Sequence, residues 1–122
     1  MATLSVQPVI EAGVTPTYAS AASGGDVAPN DGTMFVHVKN EHASATRTIT
    51  FTPSTTSVTD DNYGAVTKAA VALTVAEGGD EVIGPFKTTL WNNGSGQVAI
   101  TYSDSGADIK LAALSFDKDK IA

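Results

Sequence analysis

The sequence contains no cysteine. That excludes disulfides, thiolate metal ligands and cysteine nucleophiles, and whatever core the chain builds must hold by packing alone. Aromatics are sparse, with one tryptophan, three tyrosines and four phenylalanines in 122 residues, so each one that sits beside a turn carries weight. Positive charge is short as well. Seven Lys and Arg stand against thirteen Asp and Glu, for a formal net charge of −6, and the seven (Lys39, Arg47, Lys68, Lys87, Lys110, Lys118, Lys120) are scattered rather than clustered. Binding to a phosphate backbone relies on a basic surface that releases counterions, so nucleic acid is not expected as a partner. No apolar run approaches the roughly 18 residues of a membrane-spanning helix, and the opening MATLSVQPVIEAG lacks the basic flank and apolar centre of a secretion signal. Neither a membrane partner nor export is expected, and synthesis is expected in the cytoplasm.

What the sequence does have is period-two alternation. In TMFVHVKN, Met34, Val36 and Val38 share one face and Phe35, His37 and Lys39 the other; in ATRTITFT, Ile49 and Phe51 lie opposite a row of threonines. Val71, Leu73 and Val75 repeat the pattern, as do Val98, Ile100 and Tyr102. Such alternation marks strands with one covered face, and threonine suits the half-exposed pleat. Residues 109–116 are apolar on both faces, as a central strand would be. The alanines of TKAAVALTVA are compatible with a helix, but its valines and the following EGGD favour a strand. Turn signals at close intervals (PNDG, NEHASA, EGGD, NNGSG, SDSGAD) punctuate these runs.

The length suits a single domain. The fold class expected is all-β, a single antiparallel β-sandwich of jelly-roll or Ig-like type over residues 33–116, with Ile49, Phe51, Leu73, Val98, Ile100 and Leu111 buried. Residues 1–11, with Pro8 unable to donate to a ladder, read as an extended N-terminal arm or an edge strand. Residues 12–32 read as a long loop of small residues, and 117–122 as an exposed C-terminal tail. Phe86 and Trp91, beside turns, read either as caps over the end of the sandwich or as a surface patch.

Catalytic chemistry is not visible. No elbow around a nucleophilic serine, phosphate-binding glycine loop or paired zinc-ligand motif occurs. His37 falls inside a strand pattern and His42 in a polar turn, and both read as structural. Asp60, Asp61 and Asn62, or Asp104 and Asp108, lack the spacing of a calcium loop and read as solvated turns. The chain is expected not to be an enzyme and to need no cofactor or metal.

Three stretches carry a resemblance: the N-terminal ATLSVQ, the segment TPTYASAASGGDVAPNDGTMFVHVKN (15–40), and GGDEVIGPF followed by LWNNGSGQVAITYS. In these the chain resembles a family of small β-rich proteins encoded among the head genes of tailed bacteriophages, the capsid decoration or cement proteins. The resemblance covers most of the chain and is weakest over 53–70. It implies a protein on the outer surface of the virion capsid that binds the major capsid protein, stabilises the head, and associates with itself as a homotrimer. It turns the N-terminal segment into the contact candidate, with Leu4, Val6, Pro8, Val9, Ile10 and Tyr18 as anchors. Two other roles suit the same composition: another virion part such as a head-fibre base or tail component, or a carbohydrate-binding module with Trp91, Tyr63 and Tyr102 as a stacking platform.

Overall fold

A computed structural model describes residues 2–54, 57–60, 62, 64–67, 69–103 and 106–116. The strands in chain order are β1 (Ala2–Thr3), β2 (Val6–Val9), β3 (Ala19–Ala21), β4 (Asp26–Pro29), β5 (Met34–Asn40), β6 (Arg47–Thr52), β7 (Ser57–Asp60), β8 (Gly64–Thr67), β9 (Val71–Val75) and β10 (Asp80–Ile83). After them come a single helical turn, α1 (Thr88–Trp91), then β11 (Gln97–Tyr102) and β12 (Gly106–Phe116).

The described residues are mostly β, with two five-stranded sheets and a separate β7–β8 hairpin. The first sheet runs β1-β4-β11-β6-β9. The second runs β10-β5-β12-β2, and β3 lies against the same edge of β12 as β2. The expectation of purely antiparallel sheets is corrected: both sheets are mixed. β1 runs parallel to β4, and β2 parallel to β12. Alternation fixes which face of a strand is covered but not its direction, so the parallel entry of the N-terminal segment left no mark in the pattern.

The strands expected from alternation form where the pattern placed them. Val36, Val38, Ile109, Leu111 and Ala113 of the second sheet and Ile49, Phe51, Val75, Val98 and Ile100 of the first belong to one core cluster. β12, in the interior of its sheet, buries Leu111, Ala112, Ala113 and Leu114 on both faces. Leu73 is half-buried rather than buried, because β9 is an edge strand. The segment 67–76 contributes strand, not helix.

Residues 12–32 are not one loop. They hold β3 and β4, and β4 lies between β1 and β11 with Asp26, Val27 and Ala28 buried. Small side chains permit this close packing. Gly25 has φ +97°, and a Cβ there would fall 2.5 Å from the Ile100 carbonyl oxygen, so only glycine lets the chain pass so near β11. α1 leads directly into the NNGSG turn, where Asn92 bridges Val98 antiparallel, so Trp91 stands just before a hairpin.

Candidate functional site

The N-terminal contact candidates converge on one edge of the second sheet. Residues 2–9 are not a free arm. Leu4 is 4% exposed, donates its amide to the Val27 carbonyl, and sits in the core where the chain crosses from β1 in one sheet to β2 in the other. The expectation that Leu4 anchors a partner is therefore corrected: apolar burial already commits it to this chain's own fold. Val6 and Val9 are half-buried against β12, and Pro8 is exposed at the edge strand, where its missing N–H costs no ladder bond. Ile10 (41% exposed) follows directly. Phe116, the register partner of Val9, is 51% exposed, and Val14 is exposed beyond the Ile10–Gly13 turn. Exposed large apolar side chains thus stand on the segment after β2 and at the end of β12, the strand that β2 pairs with.

A strap, residues 10–18, returns from β2 to β3 and is fastened at two points. The Gln7 side-chain amide donates to the Thr17 carbonyl (2.8 Å) and accepts from the Thr17 N–H (2.7 Å), acting as an extra rung of sheet. One residue on, the Tyr18 hydroxyl meets His37 Nδ1 at 2.7 Å, and His37 Nε2 meets Asp80 Oδ2 at 3.0 Å. The Tyr18 ring stands edge-on to His37, with the Lys39 ammonium 4.2 Å from its centroid. Tyr18 is half-buried and reaches over β12 to tie the strap to His37 on β5. An open cleft of about 400 Å³ lies between crossover, strap and β12, lined by Leu4, Gln7, Thr17, Tyr18, Leu111 and Ala113.

Behind this edge sits a buried carboxylate that the sequence reading did not single out. Asp26 Oδ1 accepts from the Ala2 N–H (3.1 Å), and Oδ2 accepts from the Ala22 N–H (3.1 Å) and from the Tyr102 hydroxyl. Asp26 therefore ties the start of the chain, the β3–β4 turn and β11 together. Burial first, and then the bond to Asp26, push the Tyr102 hydroxyl well above the ordinary phenol range. Asp–Gly runs and turn-like composition surround Asp26, so nothing in the local sequence distinguishes it from a solvated turn residue.

The surface-patch expectation for Phe86 and Trp91 is corrected. They are 2% and 6% exposed. Phe86 stacks on Phe51 (centroids 5.6 Å) and takes Trp91 edge-on (5.0 Å), closing one end of the core. A sugar-stacking platform through Trp91 has no free ring face to offer, and Tyr102 points its hydroxyl inward to Asp26; Tyr63 lies outside the described residues. His42 accepts the Ser44 and Ala45 amides through Nδ1 and shapes the β5–β6 turn. Asp108 pairs with Arg47 at 3.8 Å, while Asp61, Asp104 and the tail 117–122 lie outside the described residues. Among the described residues no group of three or more His, Cys, Asp or Glu converges as a metal site requires, and no helix is long and apolar enough to cross a membrane. Comparison with protein-family models, curated proteins and solved structures finds no match to the chain.

Proposed function

We propose that the protein is a bacteriophage capsid decoration protein, made in the host cytoplasm, that binds the major capsid protein on the outer surface of the head and stabilises it, with the two sheets forming the layers of a single sandwich. The shared core, drawn from the inner faces of both sheets, supports the sandwich reading. The resemblance of the N-terminal, 15–40 and Trp91-hairpin segments supports the role. The observation that carries the reading is the exposure of Ile10 and Val14 in the strap and of Phe116 at the end of β12, the strand whose edge the N-terminal segment itself covers. In this reading the contact surface is rigid from the outset, so binding costs less ordering entropy than a flexible arm would. A few apolar side chains make a weak single contact, and many copies on a lattice make a strong one.

The test uses expanded, empty capsids assembled from the major capsid protein encoded with this chain. Wild-type protein is expected to sediment with them in saturable, high copy number. The double substitution Ile10→Asp, Phe116→Asp, with an unchanged thermal transition, is expected to abolish this. Full binding by the double variant refutes the assigned surface; no binding by the wild type refutes the role.

A further inference from the structure

We propose that Asn93 is a self-modification site, at which the backbone nitrogen of Gly94 displaces the Asn93 side-chain amide as ammonia and leaves aspartate or isoaspartate in the turn before β11. Asn93-Gly94 is the only Asn-Gly pair in the sequence. The pair serves the turn, but its geometry also serves a reaction. Asn93 Oδ1 accepts hydrogen bonds from two backbone N–H groups, Ser95 at 2.8 Å and Gln97 at 3.2 Å. When a nucleophile adds to Cγ, negative charge develops on that oxygen, and donors already aimed at it stabilise the tetrahedral intermediate.

The leaving group separates Asn93 from three other asparagines. Nδ2 of Asn30 donates to the Phe86 carbonyl and to Asn92 Oδ1, Nδ2 of Asn40 to the Ala45 and Val75 carbonyls, and Nδ2 of Asn92 to the Asn30 carbonyl. Nδ2 of Asn93 has no hydrogen-bond partner among the described residues, so nothing holds it as the Cγ–Nδ2 bond breaks. The nucleophile is unobstructed as well. Gly94 is exposed, and a Cβ built on it meets nothing within 4 Å.

The chemistry balances with water alone. The Gly94 amide gives its proton to a solvent base as its nitrogen bonds to Cγ. Ammonia departs with a proton, leaving a five-membered imide. Water then opens either imide carbonyl. Opening at one returns a normal backbone with an aspartate at position 93, whose carboxylate still accepts from Ser95 and Gln97. Opening at the other adds a methylene to the main chain beside the Asn92–Val98 bridge. Either product adds one negative charge to a chain of formal charge −6, so preparations of different age differ in charge.

The experiment holds the folded, full-length protein at mildly alkaline pH and follows it by ion-exchange separation and peptide mass mapping. Conversion is expected at Asn93 while Asn30, Asn40 and Asn92 keep their amides. The new acidic peak should contain a form that co-elutes with an Asn93→Asp protein. Gly94→Ala, whose methyl group crowds the attacking nitrogen without clashing in the fold, is expected to convert about tenfold more slowly or less, a barrier increase of about 1.4 kcal/mol. An Asn93 that stays intact in the folded protein while the urea-unfolded chain converts overturns the proposal, as does a Gly94→Ala protein that converts at the wild-type rate. Should Gly94→Ala fail to fold, Asn93→Gln carries the same comparison, and loss of the acidic peak is then the expected result.

Discussion

Replacing Tyr102 by Phe isolates one hydrogen bond. The ring stays against the core while the hydroxyl that donates to Asp26 disappears. Asp26 keeps its two backbone donors, Ala2 and Ala22, but loses its third partner in a buried site. A hydrogen bond to a charged group contributes about 1.5–3 kcal/mol. Tyr102 is only half-buried, so water recovers part of this, and the lower end, about 1.5–2 kcal/mol, is the expected loss. For a domain of this size that lowers the melting temperature by roughly 5–8 °C. The same bond predicts a pH dependence. The Tyr102 proton is held more tightly in the folded state than in the unfolded one. Its contribution is therefore complete below the ordinary tyrosine range near pH ~10 and declines above it, as the unfolded chain releases a proton that the folded chain retains, with a slope approaching about 1.4 kcal/mol per pH unit. Urea unfolding of both proteins across this alkaline range reads the effect, and the other two tyrosines cancel in the difference. A Tyr102→Phe protein that loses less than about 0.5 kcal/mol at neutral pH, or that shows the wild-type alkaline decline, would refute the argument.

Gly25→Ala combines a positive φ with a methyl group directed at the Ile100 carbonyl, and a loss of about 3 kcal/mol or more is expected in denaturant titration; an unchanged midpoint would show that β4 does not pass so close to β11. Trp91→Ala empties the end of the core beside Phe86 and is expected to cost about 3–5 kcal/mol, with loss of the near-ultraviolet dichroism; a stable variant would mean the indole is a surface group after all.

Where side chains alternate between apolar and polar, the strand and its covered face are legible in the sequence. β5, β6, β9, β11 and β12 follow from Met34 to Lys39, Ile49 and Phe51, Val71 to Val75, Val98 to Tyr102 and Ile109 to Phe116. β3 and β4 were not legible, because Ala, Ser, Gly and Asp carry no periodic apolar signal. Their packing depends on smallness, which looks the same in a tight core and in a loop. The site divides in the same way. Ile10 is legible as an exposed apolar residue from its place in the N-terminal segment, whereas the pairing of Phe116 with Val9 depends on a register between segments far apart in the chain. Leu4's role is not legible, because an apolar residue near a terminus reads alike whether it plugs a core or waits for a partner. Asp26, Asn30 and Asn40 are ordinary turn residues by composition; only three-dimensional neighbours reveal that they are buried and satisfied.

The parallel pairing of β2 with β12 sets a timetable for synthesis. Val6 to Val9 find their partners at Ala113 to Phe116, so the segment cannot dock until the chain more than a hundred residues further on has been made. Until then β12 is absent from the centre of its sheet, β5 lacks one neighbour, and Leu4 has no completed core to enter. Closing so long a loop is entropically slow, and the chain carries unpaired edges until β12 arrives. Its −6 charge and its abundance of Thr, Ser and Gly offer a physical means of staying dispersed over that interval, so the composition that makes the folded chain look featureless also suits a fold that waits for a distant strand.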